Sequence, residues 1–102
     1  MPAATVVVID RSPAVLELSE QALRDAGHRV LVTSDPFEAL SAMRAVRIDL
    51  VIADATHLES FQRRPDAPRT VVIGDPDEVC DLERPFSLDE LRSAVEAALA
   101  DV

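Results

Sequence analysis

Apolar residues along this chain follow two rhythms. Residues 6–9, 50–53 and 71–73 are apolar at every position, and each run is stopped by Asp10, Asp54 or Gly74. Runs of this length, rich in Val and Ile, suit strands buried on both faces. A similar, shorter run covers 30–33. A fifth candidate, 79–82, is interrupted by Asp81.

Between the runs the spacing is helical. Ser12 followed by Pro13 reads as an N-cap and first helical residue. Val15, Leu18, Ala22, Leu23 and Ala26 then form one stripe, and Gly27 is placed to end the helix in a left-handed conformation. Asp35-Pro36-Phe37-Glu38 repeats the opening as a capping box, with Phe37, Leu40, Met43 and Val46 as the buried stripe. Ser87-Leu88-Asp89-Glu90 opens the last helix with another capping box. Phe86 is expected to staple onto Leu91, and Leu88, Leu91, Ala94, Val95, Ala98 and Leu99 form its stripe. This alternation predicts an α/β protein: a parallel sheet with helices on both faces.

Composition narrows the function. A net charge of −9 repels nucleic acid and anionic membrane surfaces, so neither is an expected partner. The ten basic residues are all arginine. Cys80 is the single cysteine, which excludes an internal disulfide and fits a reducing, cytoplasmic setting. The opening residues lack a signal-peptide pattern, and no apolar run approaches the ~20 residues of a membrane span. His28 and His57 have no neighbouring Cys or second His, so they read as surface imidazoles and not as zinc ligands.

In open parallel sheets, sites form beyond the carboxyl ends of the strands. That directs attention to Asp10 with Arg11, Asp54, Gly74 and Arg84. Here the chain resembles the response-regulator receiver domain family. Val7-Val8-Ile9-Asp10-Arg11-Ser12-Pro13 is similar to the first strand and acidic turn of receivers. Asp49-Leu50-Val51-Ile52-Ala53-Asp54 is similar to the strand that presents the phospho-accepting aspartate. Arg84-Pro85-Phe86-Ser87 is similar to the Lys-Pro-Phe turn before the last helix. The resemblance covers the whole chain. It implies one domain over residues 1–102 and a flavodoxin-like, doubly wound sheet with strand order 2-1-3-4-5. It also implies a cis peptide bond before Pro85.

The resemblance further implies a site of five parts: an acceptor aspartate, two acids that hold Mg²⁺, a hydroxyl and a lysine. This chain keeps Asp54 at the acceptor position and Asp10 as one acid. Arg11 stands where the second acid belongs, Gly74 where the hydroxyl belongs, and Arg84 where the lysine belongs. A cation in a metal-ligand position repels the metal, by ~4 kcal/mol for unit charges ~4 Å apart at an effective dielectric of 20. Arginine's planar fork is not equivalent to a compact ammonium. The expectation is a vestigial site with no catalytic residue and no metal or other cofactor. Asp10 and Asp54 should lie together, with Arg11 or Arg84 as a built-in counter-ion.

Spacing shows a second loss. Asp10 and Asp54 are 44 positions apart, as in receivers, but only 20 separate Asp54 from Gly74 and only 10 separate Gly74 from Arg84. Both are short for the family. The third helix should be cut to a turn or two around 58–63, and the fourth should be missing. A parallel crossover usually needs about a dozen residues or more, so an antiparallel fifth strand is also open. In receivers the fourth helix belongs to the output and dimerisation face. Its loss makes residues 58–80 the expected surface for a partner or for self-association.

The sequence therefore predicts a degenerate receiver in two-component, phosphorelay signalling. It would act as a phosphorylation-independent protein-interaction module and not an enzyme, its partner a signalling protein or kinase. The alternative is a working receiver that takes phosphate on Asp54 from a histidine kinase, with Mg²⁺. A flavodoxin-like cofactor binder is weaker, because the turn at Asp10-Arg11-Ser12-Pro13 lacks a phosphate-cradling glycine loop and no Trp or Tyr is present to stack a flavin.

Overall fold

The computed structural model describes residues 3–57 and 68–100. Five strands, β1 (Thr5–Ile9), β2 (Arg29–Thr33), β3 (Leu50–Asp54), β4 (Arg69–Gly74) and β5 (Leu82–Glu83), form one sheet in the order β2-β1-β3-β4-β5. Every neighbouring pair is parallel. Helices α1 (Pro13–Asp25), α2 (Pro36–Ala45) and α3 (Leu88–Ala100) cover the sheet.

Strand side chains alternate between faces, and both faces are covered, so the central strands are apolar throughout. Val6, Val8, Leu50, Ile52, Val71 and Ile73 pack on Leu23 of α1 and on Leu91 and Val95 of α3. Val7, Ile9, Val51 and Ala53 pack on Ala39 of α2, with Leu40, Met43 and Ile48 beside them.

The helix ends follow the sequence closely. The Ser12 side chain accepts the Val15 N–H, and Pro13 opens α1. Gly27 has φ +91°, and its N–H donates to the Arg24 carbonyl at 2.9 Å. Ser87 and Glu90 form the reciprocal capping box, at 3.2 and 3.1 Å, and Phe86 packs on the cluster that contains Leu91.

Other expectations need correction. Asp35 caps α2 through the Phe37 N–H, but its own N–H donates to Thr33 Oγ1 and not to Glu38, so the capping box does not close. The buried line of α2 runs through Ala39, Leu40 and Met43. Phe37 lies ~110° round from it at 100° per residue and is 77% exposed. Val46 caps the helix in extended conformation and is exposed. Ala26 and Leu88, at helix ends, are also exposed. Ser19, unremarked in the sequence, is buried in α1. His28 is half-buried, and its Nδ1 accepts the Ala4 N–H at 3.1 Å. Beside it Asp49 accepts the Thr5 N–H at 2.9 Å, so two side chains close the amino end of β1.

The fifth strand also differs. It begins at Leu82, runs parallel to β4, and leaves Val79 fully in solvent. The short connection suffices because β5 pairs only with Ile73 and Gly74, at the carboxyl end of β4. The chain therefore never has to cross the length of the sheet. Below that pairing, Asp81 acts as a strand substitute. Its N–H donates to the Val72 carbonyl and its carboxylate accepts the Val72 N–H, each at 2.9 Å. No helix occurs in the connection 75–81, so the family's fourth helix is indeed absent. The shortened third helix expected at 58–63 lies outside the described residues, as does much of the expected partner surface.

Candidate functional site

β1 and β3 are adjacent, with Ile9 opposite Ala53, so the residues that follow bring Asp10 and Asp54 to the same point of the carboxyl rim. Both are buried, Asp10 completely. The turn after each strand holds its carboxylate. Asp10 Oδ1 accepts the Ser12 N–H at 2.9 Å. Asp54 Oδ1 accepts the Thr56 N–H at 2.8 Å and also the Thr56 hydroxyl.

Arg84 enters from the end of β5. Its N–H donates to the Gly74 carbonyl at 2.8 Å, and the Arg84-Pro85 bond is cis, as expected. One terminal nitrogen, Nη2, donates to Asp10 Oδ2 at 2.7 Å and to Asp54 Oδ2 at 2.8 Å. A single nitrogen thus bridges two carboxylates, where a guanidinium can also set two nitrogens on one. Nε of the same guanidinium lies 3.7 Å from Asp75. Arg11 is more distant and largely in solvent, 3.8 Å from Asp54 and 3.8 Å from Asp75. Both arginines therefore reach the acids, and the parallel β5 makes Arg84 the principal one.

Burial alone would push the Asp54 carboxyl up. The Thr56 hydroxyl and N–H, then the charges of Arg84 and Arg11, outweigh it and hold Asp54 below its usual range. Burial works against the charged guanidinium of Arg84. The hydrogen bond that Arg84 donates to Asp10 and the charges of Asp10, Asp54 and Asp75 overcome it and keep Arg84 above its ordinary value.

Gly74 is buried at the end of β4, under the start of the β4–β5 connection. The structure thus brings Asp10, Arg11, Asp54, Gly74 and Arg84 to one rim. Sequence reasoning missed Thr56 and Asp75. A Thr two residues after an Asp is a turn signal that could have identified the first. Asp75 carried only its position after Gly74.

No protein-family model and no curated protein matches this chain. Solved structures do. A response regulator from Thermotoga maritima is similar over 97% of this chain and 99% of its own, at 25% identity and a TM-score of 0.79. The chemotaxis response regulator CheY4 of Vibrio cholerae is similar over 96% and 100%, at 18% identity and a TM-score of 0.80. The anti-anti-sigma factor PhyR from Bartonella quintana is similar over 99% of this chain and 49% of its own, at 17% identity and a TM-score of 0.77. The chain has the flavodoxin-like fold of response-regulator receiver domains, a class of signalling modules. Among the described residues no helix is long and apolar enough to cross a membrane.

Proposed function

We propose that this chain is a degenerate receiver in two-component signalling, a cytoplasmic protein-interaction module that works without phosphorylation and is not an enzyme. The observation that carries the reading is the Arg84 bridge between Asp10 and Asp54. Mg²⁺ requires oxygen ligands in near-octahedral array. Here one oxygen of each carboxylate is already committed to a guanidinium, and Arg11 adds a second positive charge where an acid would be needed. The residues present do not fit the cation.

The acceptor chemistry is impaired for a related reason. Both oxygens of Asp54 are engaged, one by Thr56 and the other by Arg84. A carboxylate held below its usual pKa is also a weaker nucleophile. With the cation supplied internally, the rim stays in one state and the surface it supports is presented constitutively. The partner is a protein, a signalling protein or kinase. The net charge of −9 disfavours nucleic acid and anionic membrane.

Retention of Asp54 beside Asp10 is the one observation that favours the alternative, a receiver phosphorylated on Asp54. Incubation with acetyl phosphate and Mg²⁺ followed by intact mass separates the two. The expected result is an unchanged mass. Gain of one phosphoryl group, lost in Asp54→Asn, would overturn the proposal.

A further inference from the structure

The two departures from a receiver, a glycine at 74 and a missing helix after it, have one physical origin. A Cβ placed on Gly74 would lie 2.9 Å from Cys80 Cβ, 3.2 Å from Cys80 Sγ and 3.2 Å from Glu78 Cβ. The first contact is closer than carbon atoms tolerate. The short connection 75–81 therefore passes through the space that a serine or threonine side chain would need.

That connection is fastened at both ends and across its middle. At its start, the Asp75 carboxylate faces Arg84 at 3.7 Å and Arg11 at 3.8 Å, the same two arginines that face Asp54. Across the turn, the Glu78 N–H donates to the Asp75 carbonyl at 2.9 Å, and the Asp75 N–H donates to Glu78 Oε1 at 2.8 Å. At its end, Asp81 is bonded twice to Val72. The tip, Val79, stands fully in solvent, and Pro76, Asp77 and Glu78 beside it are exposed as well.

We propose that the connection 75–81 is a built-in lid, strapped over the carboxyl rim through Asp75 and seated on Gly74 through Cys80. It rests on the reading that the rim takes no phosphoryl group, and it adds the reason: the place of the missing hydroxyl is filled by the chain itself. Restoring a hydroxyl at position 74 cannot restore a receiver while this connection is in place. Gly74 is required by the lid and not a neutral loss.

The full chain supplies its own probe, because Cys80 is the single cysteine and is the lid residue seated, partly buried, against Gly74. Thermal unfolding of Gly74→Ala, Cys80→Gly and the double variant tests the seat. Gly74→Ala should lower Tm by about 5–15 °C, as overpacking does in a domain of this size, and by less than half as much when Cys80 is already glycine. Alkylation of Cys80 in the otherwise native chain tests the strap. Asp75→Asn should raise the rate several-fold, and this arm stands even if Gly74→Ala does not fold. Additive Tm shifts, or an unchanged alkylation rate in Asp75→Asn, would overturn the lid. If that happens while acetyl phosphate leaves the mass unchanged, the lid fails and the proposed function survives. If the native chain gains a phosphoryl group, both fall.

Discussion

Replacing Arg84 with alanine would leave Asp10 and Asp54 facing each other with no cation between them. Asp10 is fully buried and the Asp54 side chain is 5% exposed, while the Arg84 side chain is 18% exposed. Removing one partner of a buried ion pair costs about 3–5 kcal/mol, because an uncompensated charge stays behind. The partial exposure of Arg84 admits some water, so the lower end, about 3 kcal/mol, applies. For a chain of this size that is a Tm drop of about 12–24 °C. Arg11→Ala is the control. Its side chain is 65% exposed and lies 3.8 Å from Asp54, a geometry worth about 0–1 kcal/mol. Arg84→Lys should recover a good part of the loss, because both bonds come from a single nitrogen and an ammonium can also bridge. Urea unfolding at neutral pH, read as a change in midpoint at constant slope, measures all three. If Arg84→Ala is no worse than Arg11→Ala, the counter-ion account is wrong.

Three further outcomes are expected. The folded Asp54 carboxyl titrates below its unfolded value, so its ionised form stabilises the fold above about pH 4, and that contribution is lost as pH falls through the folded value. Asp54→Asn should therefore flatten the acid limb of a stability-versus-pH curve, and Thr56→Val should shift that limb to higher pH at a cost of about 1 kcal/mol. Mg²⁺ titration followed by amide shifts around Asp10 and Asp54 should show no saturable binding, and saturation at low millimolar metal would contradict the fit argument. Asp81→Ala should unpair the Val72 N–H on the open edge of β4. Light scattering should then show more self-association than in the parent, since unpaired strand edges template pairing, and an unchanged mass distribution would argue against that protective role.

The sequence by itself determined the alternation of strands and helices, the caps at Ser12 and Ser87, the stop at Gly27 and the rim residues. These follow from local rules: apolar runs that can only be buried on both faces, hydroxyls that satisfy helix N–H groups, and a glycine that tolerates positive φ. It also indicated the absent helix, because only 10 positions separate Gly74 from Arg84, too few for a helical crossover. What it could not determine depends on where distant residues meet. The direction and start of β5 followed from pairing with Ile73 and Gly74 alone, a register that Asp81 sets through Val72. The phase of α2 put Phe37 into solvent against its apolar character. Tertiary structure alone decided that one Arg84 nitrogen bridges two carboxylates from different strands, that Asp75 joins the same cluster, and that Cys80 fills the space above Gly74. Those contacts link residues far apart along the chain or on either side of a turn, and their distances exist only once the parallel sheet has set its strands side by side.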